Sequence, residues 1–370
     1  MKTVFFSSSE FILPLLSELI KSSKNGLSLY ELYLKSFKDI ASEQLYNFNL
    51  ISEAVEDYKD ALQKESFALV CVVSAQDKYN RSKLIPNPVA TLAKNNDLKT
   101  FQPHKLSQSF DEFIEVSGDF DLGITASFGQ IITNQLLEYS KYGFINWHPS
   151  KLPLYRGATP MQSALKNGEQ LTALSWIKMT EEVDAGDILL QIDHEIDANK
   201  DLLGLTNDMV ELGVSTFGIA IIIHFLEEKF GLKLSSAQDS SKASFTKMIK
   251  KEDKLIDLNH FDSKNLFNHF RAYSSYPKVF FVDSQYFHSQ VRLDSLNLIN
   301  LAEFGLSYNF ETNLFEINSE SKIEYQDSLW LQISINKQKV TFIKLKNELI
   351  KVNKVTLENG KTISFSGFNF

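Results

Sequence analysis

Along the front of the chain, short runs of consecutive apolar residues alternate with longer stretches whose apolar positions recur at helical spacing. Thr3–Phe6 reads as a first strand. After Ser7-Ser8-Ser9-Glu10, the apolar positions of Phe11–Ile20 follow a helix, and hydroxyl residues with an acid in the first turn predict its start. Phe67–Val73, Leu122–Ala126 and Gly143–Trp147 predict further strands, and Asn207–Lys229 predicts a long helix. Strands alternating with helices predict an α/β fold with a parallel sheet and crossover helices. Residues 22–65 fit the alternation poorly and read as one or two amphipathic helices inserted after the first helix. They either pack on the domain or bind a partner.

Beyond Gly231–Ser244, a polar linker by composition, the pattern changes. Val279–Val282, Phe287–Leu293, Trp330–Ile335, Lys339–Leu345 and Lys361–Phe365 alternate β-branched, aromatic and polar residues, which predicts a small β-barrel. The resulting division is a front domain over 1–230, a linker over 231–245 and a C-terminal domain over 246–370. A length of 370 residues agrees with two domains.

Composition narrows the class. With 43% hydrophobic and 23% charged residues, the chain reads as a soluble globular protein. No signal core or Arg-rich presequence opens it, which predicts a bacterial-type cytoplasm rather than an organellar matrix. The longest apolar run, near Ile219–Phe225, is too short to span a bilayer. Cys71, the single cysteine, lies in a core-like strand with no basic neighbour and can form no internal disulfide. The net charge of −8 argues against a general nucleic-acid binder, but the charge is uneven. Lys337, Lys339, Lys344, Lys346, Lys351, Lys354 and Lys361 crowd the C-terminal part against Glu348 and Glu358, and Lys247, Lys250, Lys251 and Lys254 precede it. Such a face could meet a phosphate backbone or bare solvent.

The candidate chemistry lies in Asn146-Trp147-His148-Pro149. In an extended segment alternate side chains share a face, so a carboxamide and an imidazole project together near a strand end. Asp184-Ala185-Gly186-Asp187 could add a carboxylate. Taken alone, Asn-x-His is a common pair, and Asp-Ala-Gly-Asp reads first as a tight turn. Together, Asn146 could donate to an oxygen gaining charge, His148 could exchange a proton, and Asp184 could orient and stabilise the imidazolium. No Ser, Thr or Cys is obviously poised as nucleophile, which fits direct acyl transfer between two bound substrates. His104, His194, His224, His260, His269 and His288 form no metal-ligand spacing, so no metal is expected. Neither a Gly-x-Gly-x-x-Gly nor a phosphate-loop motif is present.

These residues resemble a known family. Asn146-Trp-His-Pro-Ser-Lys-Leu-Pro-Leu-Tyr-Arg-Gly-Ala-Thr-Pro160 is similar to the signature of the 10-formyltetrahydrofolate-dependent formyltransferases. Val183-Asp-Ala-Gly-Asp-Ile-Leu189 is similar to that family's carboxylate segment, at a suitable distance from His148. The methionyl-tRNA branch fits best, through Val4–Phe11, Leu84–Val89, Phe101-Gln-Pro103, Ser127–Ile132, Lys250–Asp253, Ile256-Asp257 and Phe270-Arg-Ala-Tyr273. Resemblance is strongest over 122–190 and weakest over 22–65 and 284–330.

The resemblance implies a Rossmann-like formyltransferase domain followed by an OB-like barrel that holds tRNA, with Asn146, His148 and Asp184 as the catalytic trio. It implies 10-formyltetrahydrofolate as co-substrate, bound near Phe128, Gly129, Gln130, Ile131, Ile132, Ser150, Leu152, Pro153, Val183 and Asp187. It implies initiator methionyl-tRNA as acceptor, met by Arg81, Lys83, Arg156, Lys247, Lys250, Lys251 and Arg271, and a monomer away from membranes. Departures from the family are Ser7 in place of glycine, Lys151 within Ser-Lys-Leu-Pro, a basic loop shortened to Asp77–Lys83, and Met248 in place of a lysine. The rival readings are formyl transfer to a small amine, such as an amino-sugar nucleotide, and a non-catalytic RNA-binding relative.

Overall fold

The structure, a computed structural model, describes residues 1–37, 47–283, 289–297, 306–309, 314–317, 321–326, 329–335, 338–345 and 348–365. They form two compact units. The first comprises Met1–Pro160, Leu171–Ile196 and Leu205–Thr246, the second Met161–Gln170, Asp197–Gly204 and Lys247–Phe370.

The first unit is built on β1 (Lys2–Phe6), β2 (Ala68–Val73), a small hairpin β3 (Lys78–Asn80) and β4 (Lys83–Ile85), then β5 (Lys99–Phe101), β6 (Leu122–Ala126), β7 (Phe144–His148), β8 (Leu171–Lys178) and β9 (Ile188–Glu195). The sheet order is β5-β2-β1-β6-β7-β8-β9. The pairs from β5 to β7 are parallel, and β8 and β9 are added antiparallel. This is the Rossmann-like α/β sheet, with β1, β6 and β7 at its centre. Strands buried on both faces need continuous apolar runs. Val4, Phe6, Cys71, Val73, Phe113, Phe120 and Phe144 accordingly form one buried cluster. Burial pushes the Cys71 thiol up to about 12, so it serves packing.

The opening serines do not cap a helix with their side chains. A 3-10 turn, Glu10–Ile12, comes first, the helix runs over Leu13–Lys24, and the Ser9 hydroxyl instead lies 2.6 Å from that of Ser127. The insertion forms helices Leu29–Phe37, Phe48–Asp57 and Lys59–Lys64 among the described residues. It packs on the helix Leu202–Phe230. At Gly218 a Cβ would stand 2.6 Å from the Leu32 carbonyl oxygen, and the Tyr58 and Phe230 rings are 4.3 Å apart. That helix is longer than the apolar run suggested. By length and composition it could cross a membrane, but most of it is buried inside the fold.

The segment read as a linker is tied down instead. Glu227 accepts from the backbone N–H groups of Leu234 and Ser235, and Ser236 exchanges backbone hydrogen bonds of 2.8 and 2.9 Å with Ile188.

The second unit carries an antiparallel sheet in the order β10-β11-β17-β16-β15-β14, with β18 on β17. Its strands are β10 (Val279–Asp283), β11 (Ser289–Asn297), β14 (Ser321–Gln326), β15 (Trp330–Ile335), β16 (Gln338–Lys344), β17 (Leu349–Leu357) and β18 (Thr362–Ser364), with β12 (Leu306–Asn309) and β13 (Leu314–Ile317) paired separately. Trp330, fully buried, donates to Asp283 at 2.6 Å and packs on Phe281 and Phe365. Lys337 and Lys346 and the side chain of Lys339 lie outside the described residues. Lys354 and Lys361 are exposed, and Lys344 and Lys351 are half-buried.

Candidate active site

Alternation along β7 sets the geometry. Trp147 points to one face, where its indole donates to the Met209 carbonyl at 3.3 Å and its ring faces Phe11. Asn146 and His148 point to the other. The register places Asn146 beside Thr125 of β6, whose hydroxyl donates to Asn146 Oδ1 at 2.7 Å. This fixes the carboxamide with its nitrogen outward, and Asn146 Nδ2 donates to Asp184 Oδ1 at 3.1 Å.

Asp184 is the meeting point. Its Oδ2 lies 3.5 Å from His148 Nδ1 and accepts from the Gly157 backbone N–H at 2.8 Å. His148 Nε2 lies 3.0 Å from the Tyr155 carbonyl oxygen. A carbonyl can only accept, so Nε2 carries hydrogen, and the imidazolium could donate at both nitrogens. His148 is 4% exposed, and the Asp184 side chain 13%. A carboxylate in so little water interacts strongly with a nearby imidazolium. The backbone is bent to achieve this: Asp184 has φ +51°, Tyr155 +62° and Gly157 +105°. A side chain at Gly157 would also meet the Thr246 hydroxyl at 2.9 Å.

The loop carrying Tyr155 and Gly157 is held by the polar segment after Phe230. Arg156 donates to Ser244 O and accepts from Thr246 N through the backbone, both at 2.8 Å, and Tyr155 N donates to Ser244 Oγ at 2.8 Å. Gln238 reaches both sides. Its Nε2 donates to the carbonyls of Asp184 and Gly186 at 2.8 and 2.7 Å, and its Oε1 accepts from Arg156 at 3.1 and 2.9 Å.

Several expected ligand contacts are placed inside the protein. Arg156 is 1% exposed and pairs with Glu182 and Gln238, so it supports the loop rather than presenting charge to a polynucleotide. Arg271 is 4% exposed and bonded to the carbonyls of Leu165, Asp197 and Lys200 and to Asn268. It too is a correction to the expected tRNA set. Ser150 and Leu152 are buried, with the Ser150 hydroxyl donating to Leu154 O, and so offer no side chain to a ligand. Gln130 is spent on Leu106 N and Pro103 O, and the Phe128 ring packs edge-on to Phe6. Ile131 and Val183 are exposed, at 79% and 63%. Arg81 and Lys83, at the tip of the β3–β4 hairpin, are exposed, as are Lys247, Lys250 and Lys251. Met248 is exposed too, while Ser7 is fully buried with its hydroxyl unpaired among the described residues.

The family resemblance implied that Arg156 and Gly157 shape the loop beside the site, whereas Thr125 and Gln238 were missed as site residues. The adjacency of β6 and β7 could have pointed to Thr125. Nothing in the sequence marks a glutamine far downstream of the trio. Among the described residues, no group of three or more His, Cys, Asp or Glu is arranged to hold a metal.

Residues 43–221 match the family described as formyl transferase. A methionyl-tRNA formyltransferase of Thermotoga maritima is 35% identical over 229 residues, covering 61% of this chain and 71% of that protein. One from Caldicellulosiruptor saccharolyticus is 28% identical over 311 residues, 83% of this chain and 90% of that protein. Among solved structures, a sugar N-formyltransferase from a Shewanella species aligns with a TM-score of 0.50 at 17% identity, over 81% of this chain and 99% of that one, a likeness of fold.

Proposed function

The chain belongs to the methionyl-tRNA formyltransferase family, and we propose that it moves the formyl group of 10-formyltetrahydrofolate to the α-amine of methionyl-tRNA. The observation carrying this reading is the convergence of Asn146 and His148 on Asp184. A direct transfer needs a donor for the oxyanion, a group that moves a proton and a counter-charge, and needs no covalent nucleophile.

The neutral amine attacks the formyl carbon, and the new C–N bond pushes the carbonyl pair onto oxygen. Thr125 keeps the Asn146 amide turned outward, so its nitrogen meets that oxyanion. His148 as imidazolium adds charge, and Asp184 stabilises the imidazolium. Collapse breaks the bond from carbon to folate N10, and the proton lost by the amine passes to N10 by way of His148. Exposed Ile131 and Val183 suit the apolar faces of a folate. Arg81, Lys83, Lys247, Lys250 and Lys251 are exposed cations suited to phosphates.

The test is formylation of methionyl-tRNA by the purified protein with the folate donor. Asn146→Ala should lower kcat roughly 10²–10³-fold and His148→Ala roughly 10²–10⁴-fold. No product from the wild-type protein, or transfer to an amino-sugar nucleotide in its place, overturns the reading.

A further inference from the structure

We propose that Gln238 is a positioning residue for this transfer, holding the Asp184 loop in the conformation that aims its carboxylate at Asn146 and His148. The proposal rests on the formyl-transfer reading above.

Asp184 sits at φ +51°, a left-handed backbone that a non-glycine residue adopts at some cost. Such a conformation persists only where its surroundings over-determine it. Here one side chain does much of this. Both N–H groups of Gln238 are spent on carbonyls flanking the turn, Asp184 O at 2.8 Å and Gly186 O at 2.7 Å. Its oxygen accepts twice from the Arg156 guanidinium, at 3.1 and 2.9 Å. A flipped amide would set N–H against guanidinium and oxygen against two carbonyls, so a single orientation fits.

Two routes therefore run from Gln238 to the same carboxylate. One passes through the Asp184 peptide itself. The other passes through Arg156 to its neighbour Gly157, whose N–H donates to Asp184 Oδ2 at 2.8 Å. Only a glycine fits at 186, since a Cβ there would lie 1.9 Å from the Lys178 carbonyl oxygen. Gln238 is in turn anchored by the Ser236–Ile188 backbone pair before it and by the Ser244 and Thr246 contacts with Arg156 after it.

Three variants of the full-length protein test this. Gln238→Met keeps length without polarity, and should lower kcat roughly 10- to 100-fold while both KM values stay within about twofold. Gln238→Glu can keep the Arg156 contact but opposes a carboxylate to two carbonyls, and should lose at least as much. In an Asp184→Asn background, Gln238→Met should cost less than about twofold more, because it acts through that carboxylate. A Gln238→Glu protein near wild-type activity, additive losses in the double variant, or a raised KM at unchanged kcat would each overturn the proposal. Amide hydrogen exchange at Gly157 and over 183–187 gives a readout free of turnover. It should accelerate in Gln238→Met, and unchanged protection overturns the positioning role even if the wild-type protein proves not to formylate methionyl-tRNA.

Discussion

Each unit buries one arginine, and the two do different work. Arg156 in the first unit faces one carboxylate, Glu182, and one carboxamide, Gln238, both of which lie on segments that reach Asp184. Arg271 in the second donates to three backbone carbonyls, Leu165 in one stretch of chain and Asp197 and Lys200 in another, and to Asn268. A buried cation satisfied by carbonyls gathers chain segments, whereas one satisfied by side chains next to a reactive group orients that group. Burial alone does not distinguish the two roles. The partners do.

The largest effect should come from Arg271→Met, which removes a charged donor from three carbonyls and from Asn268 and should destabilise the second unit by about 3 kcal/mol. Denaturant unfolding followed by limited proteolysis reads this, and a loss below about 0.5 kcal/mol would break the contrast. Arg156→Met should instead lower kcat roughly 10²-fold, or about 2.7 kcal/mol of barrier. Cys71, buried and alone, reports separately on the first unit. Thiol labelling should stay slow in Arg156→Met, and rapid labelling would turn its kinetic effect into one of unfolding.

Acid treats the two units more evenly. Burial pushes His224 in the first and His269 in the second down to about 4, from the ordinary imidazole value of 6.5. Both are neutral when folded, so their stabilisation is full above pH 6.5 and is lost as pH falls towards 4. At pH 5.5 each should have cost about 1.4 kcal/mol. Melting at pH 7.5 and 5.5 checks this, and His269→Phe should flatten the profile of the second unit alone. The smallest effect should come from the exposed cations. Arg81→Ser and Lys83→Ser should each weaken tRNA binding by less than about 1 kcal/mol and reduce the salt slope by about one ion. A loss as large as that of Arg156→Met would place the hairpin beside the buried arginine in importance.

The sequence disclosed what depends on local periodicity. Alternation put Asn146 and His148 on one face, and the apolar runs marked β2, β6 and β7 to within a residue or so. Asp184 was legible only through the family pattern, because a tight turn and a catalytic carboxylate share the same letters. The resemblance put Arg156 and Arg271 in the tRNA set, and their burial was not legible because the distant carboxamide, carboxylate and carbonyls that satisfy a guanidinium leave no trace in a sequence. The polar stretch after Phe230 looked like a spacer for a similar reason. Its hydrogen bonds join side chains to distant backbone, which composition does not record.

That stretch also fixes where the molecule can be cut. A recombinant exchange joined at residue 231, the point composition recommends, would transplant Asn146, His148 and Asp184 while leaving behind Gln238, Ser244 and Thr246. A join after Thr246 keeps those residues with the trio, but Met161–Gln170 and Asp197–Gly204 of the second unit lie before it, so a grafted module must also satisfy the carbonyls that Arg271 meets there.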